Sequence, residues 1–430
     1  MAGLVLLVAL VARLGVAVGL RDHCFRVDRT GPPAPEVEYL RRGVVDLGDS
    51  EQYLLLAQGL LHHGRFAWDS RPNTFRTPGY PFLIALLGGN VTLLVLAQVM
   101  LGALTVLIVL LAGKHAFGRR AALAAAALVA FDIASILYAG LVMAETLLVL
   151  LLALGLLLVL KRRHGLAGLA LGAAALVKPV ALLAFLPFAG LLAVRREWRG
   201  LGMLLALYTV LPGLWTVRNY IHYRRLGFTS LTGANMLYTY AGALEAELRN
   251  ITTDSARVVL ASDVQTDLGG DNPLELSSRL SRAGVRRIAA HPLRYALIVL
   301  RGTGRILAGP KSDDLMVGIV GDGTATATAR TISSIATLPA PARTTTWALV
   351  GFELTLTGLT LLLAFVALFR RHGRGLRLAL LGIGCYFVVM GSPLTDGRLR
   401  IPAVPFLALA AASVFTDNRA AGRRASGQDS

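Results

Sequence analysis

Ten apolar runs separated by short basic clusters leave this chain few folds to choose from. They are Leu4–Leu20, Thr92–Gly113, Ala121–Tyr138, Met143–Leu160, Leu166–Val177, Val180–Val194, Leu201–Val217, Trp347–Phe369, Leu376–Met390 and Pro402–Phe415. A helix that crosses a bilayer needs roughly 20 mostly apolar residues, and these runs are near that length or a few residues short of it. Composition agrees. Only 16% of the 430 residues are charged, 55% are hydrophobic, and the mean hydropathy is +0.62. Soluble domains carry about 25% charged residues. A soluble enzyme, a disordered chain and a disulfide scaffold are therefore excluded. The sequence predicts an all-α polytopic membrane protein, a single domain over 1–430 with about ten spans, in a range of 9–12. The first run lacks a basic n-region and a clear cleavage site, and is read as a retained anchor.

Charge orients these spans. The formal net charge is +18, and most of it sits in five clusters between runs: Lys114 to Arg120, Lys161 to Arg163, Arg195 to Arg199, Arg370 to Arg377, and Arg419 to Arg424. That is the positive-inside pattern, which predicts those loops and the C-terminus on the cytoplasmic side of the cell membrane. It also accounts for the basic balance without nucleic acid. Residues 417–430 read as a disordered basic tail. Two long segments fall outside, Arg21–Gly79 and Arg218–Thr346. The first contains a helix begun by Asp49-Ser50, with Tyr53, Leu54, Ala57, Leu60 and Leu61 at three- and four-residue spacing. The second contains 292–308, whose Arg294, Arg301 and Arg305 forbid a span and predict an amphipathic helix in the outer interface. The stretch from Gly323 to Thr346 reads as mobile. Cys24 and Cys385 are too differently placed to pair. No internal repeat is present.

Ionisable groups beside membrane spans are functional by default, and here they share a depth. Asp49 and Arg76 flank the first outer loop. Glu145 opens the fourth span, and Lys178 sits at the tip of a hairpin broken only by Lys178-Pro179. Arg218 follows the seventh span, and Arg398 and Arg400 precede the last. Acids and cations at one interface suit a lipid-anchored phosphate with a reacting group beside it, since arginine grips phosphate with two donors and lysine as a point charge. Structural roles compete with each assignment. Asp49 suits a helix N-cap, Arg76 a turn, Glu145 a simple ion pair, and Lys178 and the other arginines headgroup anchors. Asp132 and Glu353 are weaker candidates, and His62-His63 reads as a solvated face. A transporter or flippase of lipid-linked substrates is the alternative. Transporters place coupling charges near the midplane and often show repeats, neither of which is seen.

Several of these stretches resemble one family. Asp49-Ser50-Glu51-Gln52-Tyr53, closing with Phe75-Arg76-Thr77-Pro78-Gly79-Tyr80-Pro81, looks like the first outer loop of bacterial family 39 glycosyltransferases. These are related to protein O-mannosyltransferases and to the aminoarabinose transferase acting on lipid A. Met143-Ala144-Glu145-Thr146-Leu147, Leu176-Val177-Lys178-Pro179, Trp215-Thr216-Val217-Arg218-Asn219-Tyr220 and Arg398-Leu399-Arg400-Ile401-Pro402 agree in order. The sequence departs from the family at Lys178, where arginine is commoner, at Thr77, and in lacking an Asp–Glu pair at the first acid. The resemblance implies a GT-C fold and transfer of a sugar from a polyprenyl-phosphate donor to a hydroxyl of a lipid, glycan or protein, with inversion. Asp49 would be the general base with Glu145 as a second catalytic acid. Arg76, Lys178, Arg218, Arg398 and Arg400 would hold the donor phosphate. Glu51, Tyr53, Tyr80 and Asn219 would line the substrate site. No metal ligand set is expected, although a divalent cation is compatible with the chemistry.

Overall fold

A computed structural model describes residues 1–20, 49–264, 272–312, 340–370 and 373–416. Cys24 with the rest of 21–48, the stretch from 323 to 339 and the 417–430 tail lie outside the described residues. Among the described residues there is no strand. Seventeen helices carry the fold: α1 (Ala2–Gly19), α2 (Asp49–His63), α3 (Gly79–Leu86), α4 (Val91–Phe117), α5 (Arg119–Ala130), α6 (Ile133–Ala139), α7 (Glu145–Leu160), α8 (His164–Val177), α9 (Leu186–Val194), α10 (Trp198–Tyr223), α11 (Gly242–Arg249), α12 (Thr253–Asp263), α13 (Pro273–Ala290), α14 (Pro292–Ala308), α15 (Ala340–Leu368), α16 (Arg374–Gly391) and α17 (Val404–Ala412). Short 3-10 turns lead into α9 and α17, and a π-helical turn spans Asn235–Ala241.

The protein is an all-α, multi-pass membrane protein. All ten predicted runs are helical. Among the described residues, six helical segments are long and apolar enough to cross a membrane, and α5 with α6, bent by 58° at their junction, pass the same test as a pair. The remaining three runs are apolar helices of 10–17 residues, short for a span: α7, α8, and the stretch Pro179–Val194, which begins as a 3-10 turn. The amphipathic helix at 292–308 is present as α14, with Ile298, Gly302 and Ile306 buried and Leu293 and Leu300 exposed.

The break between α5 and α6 has a physical cause that the sequence did not advertise. Helix α5 stops at Ala130, and Asp132 caps α6, its carboxylate accepting from the Ser135 amide at 2.8 Å and hydroxyl at 2.6 Å. The broken end leaves carbonyls without helical partners. Arg13, buried in the middle of α1, reaches them: its Nη1 and Nη2 lie 3.5 and 3.4 Å from the Ala130 and Val129 oxygens, and Nη1 also donates to Ala9 at 3.1 Å. In lipid such carbonyls find no water, so a side chain has to serve them. The guanidinium passes through a gap in α4 at Gly102, where a Cβ would stand 2.6 Å from Arg13 Nε. Nearby, α8 and α10 pack backbone to backbone through Gly168 and Gly172, the small-xxx-small spacing of membrane helices.

The helix ends sort by charge. His115 meets the Leu160 carbonyl at 3.0 Å, Glu197 meets His164 at 3.2 Å and Arg162 at 3.9 Å, and the Arg377 guanidinium lies 5.9 Å from the Phe117 ring. The four described basic clusters thus gather at one end of the bundle. Helix α7 runs from Glu145 to that end, α8 runs from that end towards Lys178, and α16 runs from that end towards Asp396. Glu145, Lys178 and Asp396 consequently lie at the opposite end.

Gly102→Ala is expected to displace the Arg13 guanidinium and lower the thermal unfolding midpoint of the detergent-solubilised protein. The loss should approach the roughly 1.5–3 kcal/mol of a charged hydrogen bond. Gly190→Ala, where a Cβ meets nothing within 4 Å, should leave the midpoint unchanged.

Candidate active site

Asp49 opens α2, and both of its oxygens are taken. Oδ1 accepts from Arg76 Nη2 at 2.5 Å, and Oδ2 lies 3.4 Å from Arg398 Nη1. Arg76 also donates from Nε to Gln52 Oε1 at 2.5 Å, one helical turn beyond Asp49, and its guanidinium lies over the Tyr53 and Phe75 rings. Arg398 in turn lies 3.0 Å from Asp396, which Lys311 approaches at 2.9 Å. Lys178 donates to Glu145 Oε1 at 2.6 Å, and this pair lies within electrostatic reach of Asp49 and Arg398. Among the described residues, the cluster holds four cations, Arg76, Lys178, Lys311 and Arg398, and three carboxylates, Asp49, Glu145 and Asp396.

Exposure distinguishes the two acids. The Asp49 side chain keeps 20% of its surface open, whereas Glu145 keeps 2%. Among the described residues, Glu145 Oε2 is buried without a hydrogen-bond partner. Such an atom is costly unless something fills the vacancy. Burial alone would push the Asp49 carboxyl up, but Arg76, then Arg398 and Lys178, outweigh it and hold it well below the usual carboxylate range. The sign follows directly: Asp49 stays ionised as pH falls through about 4, where an ordinary aspartate protonates. Burial pushes the Tyr53 and Tyr80 phenols up, so both remain neutral. Tyr80 donates to Gln98 at 2.6 Å, and Gln98 donates to the Leu141 carbonyl at 2.6 Å, tying α3 to the loop that precedes Glu145. Tyr53 packs edge-on against Tyr80. Glu51 is only partly buried, which nudges its carboxyl upward.

The motif residues explain how Arg76 is positioned. Its amide donates to Asn73 Oδ1 at 3.0 Å, and Gly79 packs so close to α8 that a Cβ would stand 2.8 Å from the Leu176 carbonyl. Arg218 does not join the cluster. It stacks on Trp215, and Nη1 donates to the Asn73 carbonyl at 2.8 Å and to Asn219 at 2.9 Å. Asn219 donates to the Gly227 and Phe228 carbonyls, and the turn it holds returns to the Arg76 loop through Thr229 and Ser230. These two residues brace the loop that carries Arg76.

Arg400 is also turned elsewhere. It pairs with Glu353 in the middle of α15 and donates to the Gly309 carbonyl at 2.6 Å. The other Glu353 oxygen accepts from the Lys311 and Ser312 amides at 2.9 and 3.0 Å and from the Ser312 hydroxyl. Glu353, a weak candidate in the sequence, is therefore a latch. It fixes the turn bearing Lys311 and, through Arg400, the segment bearing Asp396 and Arg398. Gln52, Lys311 and Asp396 were missed by sequence reasoning. Gln52 was legible as the i+3 neighbour of Asp49; Lys311 and Asp396 meet only through the fold. Among the described residues, no three His, Cys, Asp or Glu side chains come together as a metal centre requires.

Glu353→Gln is expected to leave Arg400 as an unpaired buried charge and to destabilise the protein by about 3–5 kcal/mol. Glu353→Gln with Arg400→Met should recover most of that loss in a chemical-denaturation series, because the unpaired charge is gone and the amide oxygen still accepts from Lys311 and Ser312.

No protein-family model matches the chain, and no curated protein sequence matches it. Solved structures do resemble it. The archaeal oligosaccharyltransferase AglB from Archaeoglobus fulgidus, in complex with an inhibitory peptide and a dolichol-phosphate, is similar over 98% of this chain and 52% of its own, with 16% identity and a TM-score of 0.47. The apo form of the A. fulgidus oligosaccharyltransferase gives 16% identity and 0.48 over the same shares. ArnT from Cupriavidus metallidurans bound to undecaprenyl phosphate is similar over 98% of this chain and 79% of its own, with 14% identity and 0.38. The chain spans about half the length of the archaeal structures it matches.

Proposed function

We propose that this chain is a membrane glycosyltransferase of the GT-C kind, moving a sugar from a polyprenyl-phosphate donor to a hydroxyl acceptor. One observation carries the reading: a partly open carboxylate, Asp49, is held between two arginines, Arg76 and Arg398, with Lys178 close by. A glycosyl phosphodiester carries one negative charge, which these cations suit. As the sugar leaves, the phosphate becomes a monoester and gains a second charge, which Arg398, Arg76 and Lys178 stabilise as it develops.

In this reading the donor phosphate competes with Asp49 for the arginines. With Arg398 drawn onto phosphate, Asp49 regains basicity and faces the acceptor. The acceptor oxygen attacks the anomeric carbon and the new C–O bond forms. The bond from that carbon to the phosphate oxygen breaks, with its electron pair leaving on the phosphate. The acceptor proton passes to Asp49, and attack opposite the leaving phosphate inverts the anomeric configuration. Positioning contributes alongside proton transfer. The vacant Glu145 Oε2 accepts from a donor-sugar hydroxyl, and the neutral phenols of Tyr53 and Tyr80 form the floor of the site. Nothing in this scheme calls on a nucleotide. The basic helix ends face the cytoplasm by the positive-inside rule, so the site works on the outer face of the cell membrane. An impermeant thiol reagent on a cysteine at Ser70 reads that side directly.

The test is transfer by purified protein in lipid. A polyprenyl-phosphate sugar should be consumed with release of polyprenyl phosphate, and a nucleotide sugar alone should be inert. Asp49→Asn keeps the shape and removes the base, so turnover should fall by roughly 10²–10⁴ at unchanged expression. Direct use of a nucleotide sugar, or near-normal turnover of Asp49→Asn, contradicts the reading.

A further inference from the structure

Helices α13 and α14 carry seven arginines against one acid, Glu275, and they do so at the end of the molecule away from the basic loops. Helix α13 buries Leu274, Leu276, Leu280 and Gly284, turning Arg282 and Arg286 outward. Helix α14 is anchored by its second half. A Cβ on Gly302 would stand 2.1 Å from the Ser392 carbonyl, the Thr303 and Ser392 hydroxyls are 2.8 Å apart, and Ile306 is fully buried. Ser392 directly follows the last residue of α16. So α14 lies across the end of a membrane-spanning helix, at the depth where headgroups begin.

The exposed side of α14 is not a soluble surface. Leu293, Leu297 and Leu300 are 80%, 47% and 67% exposed. At about 100° per residue the three fall within one narrow strip. Arg294, Arg301 and Arg305 occupy the neighbouring strip, between those leucines and the buried side. Arg301 meets Glu247 at 3.1 Å, and Arg287 of α13 meets Asp263 at 2.6 Å. Arg282, Arg286, Arg294 and Arg305 pair with no carboxylate among the described residues. A leucine strip needs a hydrocarbon boundary, and unpaired arginines beside it need anions at the same depth.

We propose that the α13–α14 hairpin is a docking surface for anionic phospholipid. The leucines enter the acyl boundary, and the four unpaired arginines take headgroup phosphates of lipids with a net negative charge. Zwitterionic lipid satisfies the leucines but returns a positive choline or ethanolamine to the arginines, so the charge selects acidic headgroups. This surface is separate from the Asp49 cluster and does not depend on what that cluster does.

The test uses the full chain in nanodiscs, with Cys24→Ser, Cys385→Ser and Leu297→Cys carrying an environment-sensitive fluorophore. Quenching by spin-labelled phosphatidylglycerol is compared with quenching by spin-labelled phosphatidylcholine at equal mole fraction. Each basic residue near an anionic surface enriches it by roughly fivefold. Quenching by the acidic lipid should therefore be at least about fivefold more effective. Changing Arg282, Arg286, Arg294 and Arg305 together to Gln should abolish the preference but not the quenching, and changing them to Lys should retain both. Absence of quenching by either lipid would place the strip in water and overturn the proposal. Equal quenching by both lipids, or a preference that survives the Gln changes, would remove the anionic selectivity and overturn it equally.

Discussion

A carboxylate pinned between two guanidiniums is the interaction around which this molecule is arranged. Asp49 comes from the start of α2, Arg76 from the loop between α2 and α3, and Arg398 from the approach to the last helix. No local rule brings these three together. Arg76 and Arg398 are each delivered by a separate brace. Arg218 and Asn219 hold the Arg76 loop, and Glu353 with Arg400 holds the turns bearing Lys311 and Arg398. The braces are themselves buried charges and amides, costly to desolvate and strongly destabilising to break. That cost is accepted where geometry at one end of the bundle has to be fixed from distant parts of the chain.

The same economy of polar groups appears deeper. Arg13 lies in the middle of a membrane helix and serves the freed carbonyls of a broken one, with Gly102 making room. The break matters for the site. It lets the chain turn through α6 and the loop after it, so that Gln98 can bind that loop and Glu145 can open α7 beside Lys178. A continuous helix would carry Glu145 elsewhere. Buried charge here is thus used to shape the backbone.

Much of this was legible in the sequence, and what was not has a physical explanation. Hydropathy located all ten apolar runs because burial in lipid demands it of every span. Three of them, α7, α8 and the Pro179–Val194 stretch, are short for a span. Asp49, Arg76, Glu145, Lys178 and Arg398, which depth grouped because ionisable groups are tolerated only at a few levels, come together in space. Depth could not separate Arg218 and Arg400 from them. Those two share the level yet spend their donors on a loop and on Glu353, a distinction made only by tertiary contacts. Arg13 escaped notice altogether: one arginine in an apolar run carries no signal of the broken helix it serves, more than a hundred residues away.

Competition between Asp49 and a lipid phosphate for the same arginines is the claim on which the functional account rests, and equilibrium binding of polyprenyl phosphate tests it most directly. Binding should be measured by native mass spectrometry or titration on the wild-type chain, on Asp49→Asn and on Arg398→Gln. If the two anions compete, removing the Asp49 charge frees the arginines and polyprenyl phosphate binds at least as tightly as to wild type, while Arg398→Gln weakens it by about tenfold or more, the scale of a lost charged hydrogen bond. Asp49→Asn binding that falls as far as Arg398→Gln, or Arg398→Gln binding that does not fall, would contradict the account.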